Sequence, residues 1–195
     1  MLPILHRLLE DGFEANGGPD MIDPEVVVIS PTRELAIQIK DEARKFAQGS
    51  GIRCFVIYGG TQVLYQIDQV RQGVNVLVAT PGRLADFVNR GVISFQKVKF
   101  LVLDEGDRML DMGFLGDIQA IINHTSMPPR HLRQTLMFSA TFPEEIQKIA
   151  LEYLNNYLFL IVGTVGGACS DVTQSFFQVK NSFASFGVST LISIL

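Results

Sequence analysis

Apolar residues fall in six short runs along the chain: Val26 to Ile29, Cys54 to Tyr58, Val76 to Ala79, Phe100 to Leu103, Leu136 to Phe138 and Tyr157 to Val162. The runs are rich in Val, Ile, Leu and Phe and do not alternate with polar residues. That is the pattern of strands buried on both faces of a parallel sheet. Helical spacing lies between them. Ile146, Ile149, Ala150, Tyr153 and Leu154 follow the i, i+3, i+4, i+7, i+8 rule for one buried helix face, and Leu35, Ile39, Ala43, Phe46 and Ala47 nearly do. Strands alternating with helices of this length predict an α/β fold built on a doubly wound, mostly parallel sheet. Ligands of such sheets collect at the carboxyl ends of the strands, so functional residues are sought there.

Met1 to Glu10 reads as the back part of a helix, and Asp11 to Asp23, rich in Gly, Asp and Pro, as a loop before the first full strand. Gly163 to Ser170 has the composition of a linker, and Asp171 to Val179 resumes a strand-like run. From Asn181 to Leu195 the chain carries no charge and turns to Ser and Phe. Composition narrows the classes further. With 195 residues, 47% hydrophobic and 18% charged, the chain can bury a core and lacks the signature of disorder. Its 16 basic and 20 acidic side chains, net −4, exclude a generally basic surface but not a local basic site. Cys54 and Cys169 form no disulfide framework and lack metal-ligand spacing, which suits a reduced intracellular protein. The start lacks the features of a secretory signal and the uncharged tail is too short to span a bilayer, so no membrane partner is expected. His6, His124 and His131 share no ligand spacing.

One unit occurs twice: a strand, a hydroxyl residue, Pro, one more residue, then Arg. The copies are Ser30-Pro31-Thr32-Arg33 and Thr80-Pro81-Gly82-Arg83. Pro favours the first helical position and Ser or Thr before it makes a good N-cap. Each copy therefore offers free backbone N–H groups, a hydroxyl and an Arg where ligands bind, a combination suited to phosphate. A single copy reads more readily as an ordinary capped turn with a solvated Arg. Two copies at one sheet edge, with the pair Gly59-Gly60 after another strand, point to a track of phosphates, hence to nucleic acid held by its backbone.

The run Phe100 to Leu103 ends in Asp104-Glu105-Gly106-Asp107. An apolar strand ending in adjacent acids is the Walker B arrangement, in which an Asp helps hold Mg²⁺ on nucleotide phosphates and a neighbouring acid positions or deprotonates a water. Mg²⁺ keeps several waters, so one or two carboxylates suffice. The simpler alternative is that Asp104 or Asp107 caps the helix begun by Arg108-Met109-Leu110. After the run Leu136 to Phe138, Thr141 and Glu144 have the spacing of a capping box. Ser139 and Ala140 gain a role only beside Asp107, which a parallel sheet allows.

In this order the motifs resemble those of the DEAD-box RNA helicases: Pro31-Thr32-Arg33-Glu34-Leu35-Ala36, Gly59-Gly60, Thr80-Pro81-Gly82-Arg83, Asp104-Glu105-Gly106-Asp107 and Ser139-Ala140-Thr141. The resemblance covers roughly residues 1–180. It is greatest to the Vasa-like members, through Tyr58 to Gln62, Leu110 to Phe114, Met137 to Ile146 and Gly166 to Cys169. It implies a RecA-like domain of the P-loop NTPase type at residues 1–162, a linker and the start of a second helicase domain at 163–180, and an atypical tail at 181–195. ATP and Mg²⁺ are the implied cofactors and RNA the implied partner, with ribonucleoprotein partners besides. A cytoplasmic location is implied, in germline RNA granules, with the nucleus as an alternative.

By the same resemblance, Pro31, Thr32, Arg33, Gly59, Gly60, Thr80, Pro81, Gly82 and Arg83 hold the RNA backbone. Asp104 acts through Mg²⁺ by way of water, and Glu105 activates the water that attacks the γ-phosphate. Asp107, Ser139, Ala140 and Thr141 couple nucleotide to RNA.

Three departures stand out. No Gly-x-x-x-x-Gly-Lys followed by Ser or Thr occurs, so the chain is expected to begin just after the phosphate-cradling loop and to lack it at its N-terminus. The chain stops soon after the linker, so the second domain and its arginine finger are expected to be absent. Gly106 stands where the family usually has Ala. The expectation is a fragment of a helicase that is inactive alone. The alternatives are a non-catalytic short isoform that binds RNA or protein and, less favoured because such sites gather more acids, a Mg²⁺-dependent nuclease using Asp104 and Glu105.

Overall fold

Five four-residue apolar or mixed segments form a parallel sheet: β1 Val26–Ile29, β2 Cys54–Ile57, β3 Val76–Ala79, β4 Phe100–Leu103 and β5 Gln134–Met137. The computed structural model describes residues 1–13 and 21–162. The expected linker, the run Asp171 to Val179 and the tail therefore lie outside the described residues. Strand order is β2-β3-β1-β4-β5, all neighbours parallel and in register, with Ile29 level with Ala79 on one side and Leu103 on the other. Residues Met1–Phe159 form one compact unit.

Both faces of the sheet are covered, which explains why the strands read as unbroken apolar runs. Alternate residues point to opposite faces. Val27, Ile29, Leu77, Ala79, Leu101 and Leu103 enter one core, and Val26, Val28, Val76, Val78, Phe100 and Val102 the other. On the first face pack α4 Pro81–Asn89 through Leu84 and Phe87, α6 Leu115–Ile122 through Ile118 and Ile121, and α7 Glu144–Tyr153 through Ile146 and Ile149. On the second lie α1 Leu2–Asp11 through Leu5 and Leu8, and α2 Arg33–Phe46 through Ala36 and Ala43. The remaining helices are α3 Val63–Arg71 and α5 Gly106–Asp111. This is the doubly wound α/β architecture expected from the sequence.

Two expectations about the strands are corrected. Tyr157 to Val162 forms no strand: Leu158 is 87% and Val162 99% exposed, and no ladder partner among the described residues fixes their backbone. β-Prone residues make a strand only when a neighbour takes their N–H and C=O groups. The fifth strand starts two residues earlier than its apolar run, because Gln134 and Thr135 lie at the edge of the described sheet, where polar side chains are tolerated. Helix α3 buries the polar Gln66 beside the apolar Ile67 and Val70. No helix among the described residues is long and apolar enough to cross a membrane.

Among the described residues, strand β5 has one paired edge. Gln134 and Phe138 donate their N–H groups to Lys99 and Leu103 carbonyls, so by alternation Thr135 and Met137 turn theirs away from β4. Such an edge templates pairing with other strands. The isolated chain is expected to self-associate and to melt without a sharp transition. Light scattering and calorimetry check this, and a monomer with a sharp two-state melt contradicts it.

Candidate nucleotide and nucleic-acid site

The parallel register brings the carboxyl ends of all strands to one rim. At the end of β1, Pro31 is buried and Thr32 caps α2, its Oγ1 accepting the Leu35 N–H at 3.3 Å. Arg33 is the first residue of the helix. At the end of β3, Thr80 is the N-cap and Pro81 the first helical residue, but the Thr80 side chain makes no capping bond. The two copies of the repeated unit are thus not geometrically equivalent: the helix starts two residues later after β1, and Ser30 is no cap there. They are nevertheless neighbours, the Ser30 N–H donating to the Ala79 carbonyl at 3.0 Å.

Next to them, β2 ends in Tyr58-Gly59-Gly60. Gly60 has φ 77°, a conformation costly for other residues. At Gly59 a Cβ would meet no atom within 4 Å, and at Gly82 only Asp117 Oδ2 at 3.7 Å. Neither has a positive φ, so nothing among the described residues requires glycine at these two exposed positions. Two cations tie the three loops together. The Arg33 guanidinium stands 4.6 Å from the Tyr58 ring centroid, within cation–π range. Arg83 donates from Nη1 to Gln66 Oε1 at 2.8 Å and from Nη2 to the Thr61 carbonyl at 3.2 Å.

On the other side of β1, β4 ends in Asp104. Burial, and then the Glu105 charge, push its carboxyl above the usual range, although Oδ1 accepts the Glu105 N–H at 3.1 Å. Glu105 adopts a left-handed conformation, φ 51° and ψ 53°, and its Oε2 accepts from Arg108 Nη1 at 3.2 Å. For a residue with a Cβ this backbone is strained, and strain of this kind gathers at functional sites. Neither Asp104 nor Asp107 caps α5 by the simpler reading, since the N-cap is Glu105 and it makes no side-chain cap bond.

Asp107 instead joins two strand ends. Its N–H donates to Ser139 Oγ at 3.2 Å, and its Oδ2 accepts from the Thr141 N–H at 2.9 Å and the Thr141 hydroxyl at 2.8 Å. Burial alone would raise its pKa. The Thr141 hydroxyl and amide, with Arg108 and Ser139, outweigh that and hold the carboxyl below the usual range. Ala140 is exposed between the two hydroxyl residues. The capping box expected of Thr141 and Glu144 does not form: Pro143 is the N-cap of α7, and Thr141 is engaged by Asp107. Gln66, only 3% exposed, joins these loops and is not flagged by the sequence.

A parallel sheet with two Pro–Arg loops, a glycine pair and adjacent acids along one rim defines a RecA-like domain of the helicase type. Comparison with known proteins agrees. The model of the DEAD/DEAH box helicase family matches residues 1–149, and the chain belongs to that family. It is 54% identical over 195 residues to the ATP-dependent RNA helicase vasa of Drosophila melanogaster, covering 100% of this chain and 28% of that protein. It is 53% identical over 180 residues to the human probable ATP-dependent RNA helicase DDX4, covering 92% of this chain and 25% of that one. The chain thus spans about a quarter of these relatives. Among solved structures, it is similar to the yeast DEAD-box splicing factor Prp28, with TM-score 0.72, 33% identity and cover of 78% of this chain and 35% of that one. It is also similar to the RNA helicase Prp28 of Chaetomium thermophilum bound to ADP, with TM-score 0.67, 37% identity and cover of 79% and 35%.

The donor set suits Mg²⁺ only in part by itself. Among the described residues no three His, Cys, Asp or Glu gather as a metal cluster. A half-buried Asp104 beside Glu105 fits an ion that completes its shell with water and nucleotide phosphates.

Two predictions follow from this geometry. Asp104 has a raised pKa, so its protonated form favours the fold, a contribution complete below the ordinary Asp value of about 3.9 and lost as pH rises through the native value. Asp104→Asn should therefore raise the melting temperature at pH 7, with the gain vanishing in acid. A lower melting temperature at pH 7 contradicts this. At Gly106, whose φ is not positive, an added Cβ would meet Ile146 Cδ1 at 3.4 Å and the Phe138 carbonyl at 3.6 Å, contacts that fit. Gly106→Ala should stabilise by about 0.5–1 kcal/mol, read from denaturant melts.

Proposed function

We propose that the chain is part of an ATP-dependent RNA helicase of the DEAD-box type, similar to the Vasa-like members, whose rim serves RNA on one half and nucleotide on the other. The observation that carries this reading is the strand order. Pro31, Thr32, Arg33, Gly59, Gly60, Thr80, Pro81, Gly82 and Arg83 stand on the adjacent strand ends of β1, β2 and β3, and the acids stand beyond β1 on β4. The N-termini of α2 and α4 offer unpaired N–H groups to phosphates, and Arg33 adds charge at the surface. The glycines at 59 and 82 let a backbone approach closely. Such a track reads no bases, and contacts to the 2′-OH would favour RNA over DNA.

On the nucleotide half, Asp104 would hold Mg²⁺ through water, the ion neutralising phosphate charge when bound. Glu105 is placed to accept a proton from a water held near Asp104. Asp107, Ser139, Ala140 and Thr141 link the ends of β4 and β5 so that a change at one is felt at the other. Residues 1–162 are assigned to the RecA-like domain, 163–180 to a linker and the beginning of a second domain, and 181–195 to an atypical tail. The likeness to Vasa-like proteins supports work in the cytoplasm, in germline RNA granules and with ribonucleoprotein partners. Immunofluorescence in germ cells checks that placement.

The 195 residues contain no phosphate-cradling loop sequence, which favours a second, narrower reading of the chain taken alone: RNA binding without turnover. The purified chain should bind single-stranded RNA of unrelated sequences alike and show no RNA-stimulated ATP hydrolysis. Gly82→Ala should weaken that binding without lowering the melting temperature, because Ala fits internally and restricts the unfolded chain. Absence of RNA binding contradicts the proposal, and RNA cleavage in Mg²⁺ would support a nuclease instead.

A further inference from the structure

We propose that Gln66 is a positioning residue for RNA binding and that Arg83 serves the RNA track through Gln66 and the glycine loop and not as a phosphate ligand. The inference rests on the RNA reading above and extends it to a residue outside the recognised motifs. Gln66 is a polar side chain, 3% exposed, on the face of α3 that also buries the apolar Ile67 and Val70. A buried amide in such a place destabilises the fold unless its donors and acceptor are satisfied. Its partners identify what it does. Oε1 accepts from Arg83 Nη1 at 2.8 Å, and Nε2 donates to the Tyr58 carbonyl at 3.3 Å.

The second guanidinium nitrogen of Arg83 donates to the Thr61 carbonyl at 3.2 Å. The Tyr58 and Thr61 carbonyls flank Gly59 and Gly60, residues whose own side chains can make no hold. Arg83 also lies 5.6 Å from the Phe87 ring centroid, so its head is fixed over α4 as well. One amide and one guanidinium thus pin both ends of a glycine pair to α3 and α4. Gly60, at φ 77°, has broad conformational freedom without such a clamp. Ordering that loop beforehand lowers the entropy lost when a phosphate backbone docks on it. The Tyr58 ring in turn carries the Arg33 guanidinium, so the clamp also sets the surface cation of the β1 loop.

The mechanism separates by its salt dependence. A cation that neutralises a phosphate contributes about 0.7 to the slope of log K against log salt on a single strand, whereas a clamp residue contributes none. Binding of a fluorescent oligouridine to the whole 195-residue chain is measured by anisotropy from 50 to 200 mM salt. Gln66→Leu and Arg83→Gln should each weaken binding about 10-fold, the loss of a hydrogen bond to a charged group, with the slope unchanged. The double variant should be no weaker than either single one. Gln66→Glu keeps the acceptor for Arg83 but sets an oxygen against the Tyr58 carbonyl, so it should weaken binding with the slope unchanged, and its loss should not add to that of Arg83→Gln. Arg33→Gln, by contrast, should lower the slope by about 0.7.

A slope reduced by Arg83→Gln as much as by Arg33→Gln overturns the proposal and makes Arg83 a phosphate ligand. Wild-type affinity in a folded Gln66→Leu chain overturns it as well. If Gln66→Leu does not fold, additive losses in Gln66→Glu and Arg83→Gln overturn it, and a shared loss supports it. Failure of the wild-type chain to bind RNA instead overturns the functional reading on which this one stands.

Discussion

The site depends on the parallel ladder that β1 makes with β3 on one side and β4 on the other. Ile29 stands level with both Ala79 and Leu103, so the chain leaves all three strands at the same height and the following loops share one rim. Register is held by burial, because slipping one residue would exchange the residues of the two cores. Val27 and Ile29 would have to trade places with Val26 and Val28. The chemistry of the loops is therefore positioned by apolar residues that take no part in it.

On that rim the two halves are built differently. The β2, β3 and β1 ends carry a Gly-rich loop, two helix N-termini and two Arg side chains, held by Gln66 and Tyr58. The β4 and β5 ends carry carboxylates whose environments diverge. Asp104 is raised by burial, and Asp107, three residues on, is lowered because Thr141 supplies two donors. These neighbouring carboxylates sit in different environments, Asp104 half-buried at the end of β4 and Asp107 fixed as a hydrogen-bond hub to the end of β5. Glu105 between them has a left-handed backbone, a strain consistent with a site and unneeded for a simple turn.

Much of this was legible in the residue pattern. The unbroken apolar runs of β1, β3 and β4 announced strands covered on both faces, and the ordered motifs marked the rim positions. What failed did so for physical reasons. Tyr157 to Val162 has strand composition but pairs with no strand among the described residues, so local propensity had nothing to express. Gln134 and Thr135 hid the start of an edge strand. The Thr141 and Glu144 spacing suggested a capping box, yet Asp107, distant in sequence, offered Thr141 a charged acceptor, which makes the stronger bond. Gln66 was invisible for a similar reason: a Gln on a helix reads as solvated until its tertiary partners, Arg83 and the Tyr58 carbonyl, are known.

The central claim is that single-stranded RNA lies across the ends of β2, β3 and β1. Amide hydrogen exchange of the chain with and without a single-stranded RNA tests it most directly. The account predicts added protection confined to residues 31–35, 59–62 and 80–84, with none at the opposite end of the sheet around Gln96 to Lys99. Protection centred on that opposite end, or spread evenly over the surface, would contradict it.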